Sequence, residues 1–495
     1  MESSHSNLDA PAQSARADHS SSSHPSLSAL EWITLLHVGI LVLATTWAFG
    51  GQADFVRAPL RAWASLSVLI TLAALGQRRS WTPEFRHTLW WLLPLAGFNF
   101  FVLLATLNPS LREVQIEGET LLAHVGGNPN LPSSARPAQA WNALWLFDAI
   151  WLSAFNLALV VRHRRGLRGL LLILAVSALV LAVFGTVQKL AHAKGIFFDA
   201  FPTRQPRFFA SFVYHNHWGA FMVMVMAAGI GLAWHYSRRI EARNIWHSPL
   251  LAGVVTILLA AATVPLSGSR SCTLLALLLF GCASLHVAWR VVSRARRSRT
   301  PVAPALSGLV LVWLLALSGV WFVGRDTIVA RLEKSREQIA EMREMGGIGD
   351  RALLYRNTWR MARDKIWFGW GMSSYPHVFY RLYNTRESKI DRLPVFYNDA
   401  HNDWLQSLAE HGAVGTVLLA LCAVVPLWHV RRKCFAGPLS TYLLTGCGLV
   451  LLYAGIEFPF GNLAVVLVWW VHFFVAVQLT RLRPIDRDHV SRNSA

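Results

Sequence analysis

Residues 396–415 read Phe-Tyr-Asn-Asp-Ala-His-Asn-Asp-Trp-Leu-Gln-Ser-Leu-Ala-Glu-His-Gly-Ala-Val-Gly. Asp399 or Asn398 can cap a helix starting there, which puts His401 in its first turn. The positive end of the helix dipole disfavours an imidazolium at that point. A neutral imidazole is what a general base needs near neutral pH. Trp404, Leu405 and Leu408 give the same helix an apolar face able to lie on a membrane domain. A second polar group is His215-Asn216-His217, whose histidines are candidate substrate contacts. Glu410 is expected to pair at a helix end, His411 to lie at a membrane interface, and Arg351, Arg360 and Arg363 to form a solvated face. The five cysteines lie in or beside apolar runs without a Cys-x-x-Cys, which fits small core residues better than a disulfide or metal set.

The elements that must hold these residues are membrane spans. Of 495 residues, 54% are hydrophobic and 15% charged, against about 25% charged in soluble domains. That excludes a disordered chain, a secreted disulfide scaffold and an ordinary cytosolic enzyme. Apolar runs of about 20 residues, each able to cross a bilayer, predict twelve helical spans. They lie roughly at 30–49, 59–76, 88–107, 141–161, 168–188, 217–235, 249–266, 271–291, 303–323, 412–430, 437–456 and 461–480. The net charge of +19 comes from short clusters between the spans, a footprint of cytoplasmic loops and not of a nucleic-acid surface. The clusters are Arg78-Arg79, Arg162 to Arg165, Arg238-Arg239, Arg290 to Arg299, Arg431 to Lys433 and Arg481 to Arg487. Placing them inside puts both termini in the cytoplasm and turns the segments at about 108–140, 189–216 and 324–411 outward.

The predicted organisation is a disordered tail (1–29), spans one to nine (30–323), a large outward loop (324–411), spans ten to twelve (412–480) and a second tail (481–495). The loop is too long to be structureless. It is expected to hold helices at 326–344 and 350–366 separated by Gly346 to Gly349, with a third helix running from near Asp399 into span ten. The fold class is therefore an all-α polytopic membrane protein.

At this point the chain resembles the O-antigen ligase/polymerase superfamily of bacterial inner-membrane glycosyltransferases, with lipopolysaccharide O-antigen ligase closest. His401-Asn402, nine residues, Gly412, two residues and Gly415 reproduce the ligase-type pattern, and Glu410 fits it too. Arg356 to Trp359 and Phe368-Gly369-Trp370-Gly371 resemble its Arg…Trp…Gly-x-Gly stretch. Ser267-Gly268-Ser269-Arg270 resembles a Ser-Arg signature between central spans, and Arg207 to Asn216 an Arg…Gly-Thr-Phe…Asn segment with Ala210-Ser211 in place of Gly-Thr.

The resemblance implies a GT-C-like architecture in the bacterial inner membrane, with a catalytic loop on the periplasmic face. It implies transfer, with inversion, of a glycan from undecaprenyl diphosphate to a sugar hydroxyl of lipid A–core. His401 is then the base. Arg270 and secondarily Arg207 hold the diphosphate, since a guanidinium binds phosphate oxygens in pairs and stays charged. Arg356, Asn402 and Asn216 complete the substrate-binding set. No metal and no cofactor are expected: the outward loops contain no Asp-x-Asp, and Asp391, Asp399 and Asp403 are scattered. The partners are the lipid-linked donor, the lipid A–core acceptor and membrane lipid, with no nucleic acid. The alternatives are an O-antigen polymerase or a protein O-oligosaccharyltransferase of the same superfamily, and more remotely a twelve-helix transporter. Against the transporter, the spans are sparse in acidic residues, Asp148 and Glu457 being the exceptions.

Overall fold

The computed structural model describes residues 27–482 except 78–80, 117–118, 204, 206, 238–248, 300, scattered positions in 304–321, nearly all of 322–349, 386–394, 433–434 and 436. The expected helix at 326–344, the Gly346 to Gly349 break, Arg238-Arg239, Asp391 and nearly all of both tails lie outside the described residues.

Long apolar runs without water have only one way to satisfy their backbone, and they are helical. The helices are α1 (Ala29–Trp47), α2 (Asp54–Ser65), α3 (Ser67–Gly76), α4 (Pro83–Leu89), α5 (Leu92–Leu107), α6 (Pro137–Val160), α7 (Arg164–Leu190), α8 (His215–Ser237), α9 (Pro249–Ser267), α10 (Arg270–Ser298), α11 (Asp350–Asp364), α12 (Asp403–Val430), α13 (Pro438–Tyr453) and α14 (Leu463–Arg481). Among the described residues ten helical stretches are long and apolar enough to cross a membrane, α2–α3 and α4–α5 each counting as one. Two shorter apolar helices, Leu306–Leu315 and Pro438–Tyr453, fall where the ninth and eleventh spans were expected. The chain is an all-α polytopic membrane protein. One departure is a hairpin of β1 (Leu111–Ile116) and β2 (Glu119–His124), antiparallel, in the first expected outward segment.

Helix α8 lies at the centre. Residues Asn216 to Ala233 are buried all round, as a helix hydrophobic on every face must be. It packs on α9, α13 and α14. The candidate site has its own small core, separate from the membrane core. Leu354, Met361 and Ala362 of α11 meet Tyr375, Val378, Phe379, Ala400 and Ala409 there. That cluster packs α11 against the start of α12.

Candidate active site

Helix α12 starts later than the sequence suggested. Its N-cap is Asn402, whose Oδ1 accepts from the Leu405 N–H at 3.0 Å. His401 therefore precedes the helix and is not in its first turn, and neither Asp399 nor Asn398 is the cap. The reason is local. With Asn402 capping, the chain must turn sharply just before it, and His401 takes a left-handed conformation (φ 52°). For a residue other than glycine this is uncommon and costs energy that its surroundings must supply. Asp399 lies beside it, its carboxyl pushed up by desolvation to about 6.

Those surroundings are the connection between α13 and α14. The Asn402 Nδ2 donates to the Gly455 carbonyl at 2.8 Å. The Asp403 N–H donates to the Ala454 carbonyl at 2.8 Å, and the Asp403 carboxylate accepts from the Phe460 N–H at 2.9 Å. This lacing brings Glu457 to His401. The Glu457 carboxylate is 3.1 Å from His401 Nδ1, and its other oxygen pairs with Arg351 of α11. Glu457 is 3% exposed, His401 27% and Arg351 54%. Burial alone would raise the Glu457 carboxyl. The hydrogen bond from His401, the charge of Arg351 and their further contacts more than offset that and hold it below its ordinary value. A carboxylate kept ionised can only accept. In the neutral tautomer that this contact selects, Nδ1 carries the proton and Nε2 the lone pair.

Two aromatic groups complete the setting. The Tyr355 hydroxyl donates to the His401 carbonyl at 2.8 Å and the Ile456 carbonyl at 3.2 Å, tying α11 to both segments. The Phe458 ring meets His401 edge-on (4.6 Å), His217 edge-on (5.0 Å) and Tyr214 in a stack (5.3 Å). His217 is buried and its Nε2 bonds to the Phe458 carbonyl at 3.1 Å, which makes it part of the scaffold. The Asn216 amide donates to the Tyr214 hydroxyl at 2.8 Å. Its own carbonyl is the acceptor for Cys272, two residues into α10 from Arg270.

The predicted site residues thus divide. His401, Asn402 and Asn216 belong to one contiguous set of contacts. Arg207 lies close enough to Tyr214 for its charge to lower that phenol's pKa, partly countering the rise that burial causes. Arg270 is exposed at the first position of α10, whose next turn touches Asn216. Arg356 lies elsewhere. At 100° per residue it is about 140° around α11 from Arg351, on the exposed face it shares with Arg360 and Arg363. Arg351 leaves the solvated face to which it was assigned and pairs with Glu457. Glu457 itself was noticed only as a rare acid near a span end. The signal available was a carboxylate and an aromatic, Glu457-Phe458, in a short connection between two apolar helices.

The glycines of the pattern act at the other end of the short helix. Gly412 breaks α12 with φ 62° and ψ −172°, a region essentially reserved for glycine. The break lets residues 409–414 run beside 366–371. The Trp370 and Gly371 N–H groups donate to Ala409 and Glu410 carbonyls, and the Ala413 and Val414 N–H groups to Ile366 and Trp367 carbonyls, at 2.7–3.1 Å. A Cβ on Gly412 would lie 2.4 Å from Phe368 and Trp367 backbone, and one on Gly369 2.4 Å from the Glu410 carbonyl. Glu410 closes the same clasp, accepting from the Ser373 and Tyr375 N–H groups. His411 is buried against Phe98, not interfacial as expected, because the kink turns it into the bundle.

Residues 254–420, about a third of the chain, match a family model described as O-antigen ligase. This match supports the resemblance to the O-antigen ligase/polymerase superfamily. It takes in Arg270, Arg356, His401, Asn402 and the clasp glycines, and leaves Arg207, Asn216 and Glu457 outside. The superfamily's setting agrees with the apolar helices: a multi-pass inner-membrane protein of the glycosyltransferase kind, handling a lipid-linked glycan and a lipid acceptor. No curated protein matches the chain.

Proposed function

We propose that the protein is an O-antigen ligase, moving a glycan from undecaprenyl diphosphate to a sugar hydroxyl of lipid A–core at the periplasmic face. The observation that carries this reading is the pairing of His401, a residue of the ligase-type motif, with the buried Glu457 carboxylate outside it. Glu457 holds the ring by Nδ1 and accommodates the positive charge that the ring gains on taking a proton. Nε2 takes the proton of the attacking hydroxyl as the oxygen bonds to the anomeric carbon. The bond to the diphosphate oxygen breaks on the opposite face, which inverts that carbon. The departing diphosphate gathers negative charge, and Arg270 and Arg207 are assigned to it. A positioned charge of this kind is typically worth about 3 kcal/mol, or roughly 10²-fold in rate. Asn402 acts through the backbone it holds, and Asn216 through Tyr214. Arg356, on the exposed face of α11, stands apart from this set.

The arginine clusters opposite support the periplasmic face: α7 and α10 carry theirs at the ends remote from Lys189 and Arg270. The chemistry assigned here to side chains needs no metal. If EDTA abolished turnover and Mg²⁺ or Mn²⁺ restored it, that assignment would be wrong.

The experiment is a lipopolysaccharide gel from a deletion strain carrying wild type or variants. Loss of the ladder with bare core, while long glycan persists on its lipid carrier, is the expected result. Arg270→Gln is expected to leave roughly 10²-fold less ladder, following the worth of such a charge. Core bearing a single repeat would indicate a polymerase, and unchanged lipopolysaccharide with lost glycoprotein a protein-directed enzyme. Either result would overturn the ligase reading.

A further inference from the structure

A cavity of about 470 Å³ opens between the 124–133 segment and residues 363–369, within the roughly 300–1,000 Å³ typical of small-molecule sites. None of its lining residues belongs to the His401 site. Its floor is the segment that clasps α12 at its far end, and the intervening turns of helix, Asp403 to His411, span roughly 12 Å.

Its lining is largely apolar, and the polar groups set into it are held in place in advance. The Asn108 side chain accepts from the Asn128 N–H at 2.9 Å and donates to the Asn128 and Pro132 carbonyls at 2.9 and 3.1 Å. This fixes the loop that presents Asn128 and Asn130. Opposite it, the Lys365 ammonium donates to Ser133 Oγ at 2.8 Å and stands 4.3 Å from the centre of the Trp370 ring. Burial pushes that ammonium down to about 8. A cation so poorly solvated gains from an anion that reaches it. Arg363 adds a second positive charge. Asp364, between the two, has its carboxylate occupied by the Tyr383 hydroxyl at 2.6 Å. At the rim Trp367 leaves 66% of its surface exposed, a flat apolar face beside amide and cationic groups.

Amides for hydroxyls, an indole for the C–H face of a ring and two cations for a negative group are the requirements of one ligand class. We propose that this cavity is a second saccharide-binding site, selective for an anionic sugar bearing phosphate or carboxylate. The proposal rests on the glycan-transfer reading, which needs two saccharides held near one another. The anionic sugar can come from the acceptor core or from an acidic donor glycan.

The test is calorimetric titration of the purified full-length protein in detergent. Three probes are used: phosphorylated core oligosaccharide released by mild acid, the same material dephosphorylated with hydrofluoric acid, and an acidic repeat-unit oligosaccharide. One of the two acidic probes is expected to bind, and which one does so identifies the source. Arg363→Gln and Trp367→Ala, both at exposed positions, are each expected to weaken binding at least fivefold, and Lys365→Met at least tenfold. If the core oligosaccharide is the ligand, removing its phosphate should cost a similar factor. His401→Ala should bind as wild type does. Absence of binding by both acidic probes overturns the proposal. So does affinity unchanged in all three cavity variants, or a core oligosaccharide that binds equally well without phosphate. The two readings fail separately. A fully active His401→Ala sinks the base and leaves the cavity data standing. An inactive His401→Ala with cavity variants that bind normally sinks only the second site.

Discussion

The short helix from Asp403 to His411 has two unlike ends. At its start, side chains do most of the work: an imidazole in a left-handed turn, a buried carboxylate, an arginine and a phenol, gathered from α11, α12 and the α13–α14 connection. At its close, backbone does almost everything. Two segments pair through main-chain hydrogen bonds, with glycines where a Cβ would strike carbonyls and amides. One motif, His401-Asn402 to Gly412 and Gly415, encodes both. The difference teaches that residues sharing a motif need not share a role: the first pair sets up proton transfer, and the glycines set the distance and angle at which it is presented.

The sharpest way to break this contrast is Gly412→Ala. The positive φ alone should cost about 1–3 kcal/mol, and the 2.4 Å contacts with Trp367 and Phe368 backbone add to it. Most of the folded protein should be lost, read as yield and thermal midpoint in detergent. A variant as stable as wild type would dissolve the distinction between the two ends.

Next is Glu457→Gln, which keeps shape and removes charge. Folding should survive, while transfer falls about 10-fold to 10²-fold, toward the low end of what a general base supplies. The pH dependence carries the sign. The Glu457 carboxyl lies below its ordinary value of 4.5, so its contribution to stability is complete above that value. It is lost as pH falls through the lowered pKa, when the acceptor for His401 and Arg351 is protonated. A stability profile of wild type in that acidic range should show this loss, and Glu457→Gln should flatten it.

Smaller still is Asn402→Ala, which removes the cap and the tie to Gly455. It should cost about 1 kcal/mol of stability and slow turnover severalfold through a misplaced His401. Arg360→Gln, on the exposed face of α11, should change neither stability nor rate beyond twofold. A large effect there would mean that Arg360 itself contacts a substrate.

The apolar helices and the His401 motif were legible in the sequence because each is local. A run of about 20 apolar residues and a spacing of nine are written in consecutive positions. Glu457 and Arg351 were not legible, because their meaning comes from contacts 56 and 106 residues apart along the chain. The helix start was misread for a different reason. Asn398, Asp399 and Asn402 are all competent caps, and only the tie of Asn402 to Gly455 selects among them. Gly412 was visible as a motif position, but a kink inside an apolar helix leaves no mark in a hydropathy pattern.

The central claim is that His401, held by Glu457, takes the proton of the attacking hydroxyl. It is tested most directly by transfer in detergent from a defined carrier-linked glycan to purified lipid A–core, comparing wild type with His401→Ala. The account predicts a rate loss of about 10²–10⁴-fold in a variant that still folds, its thermal midpoint lowered only by the lost bond to Glu457. Turnover within twofold of wild type, from an equally well-folded variant, would contradict it.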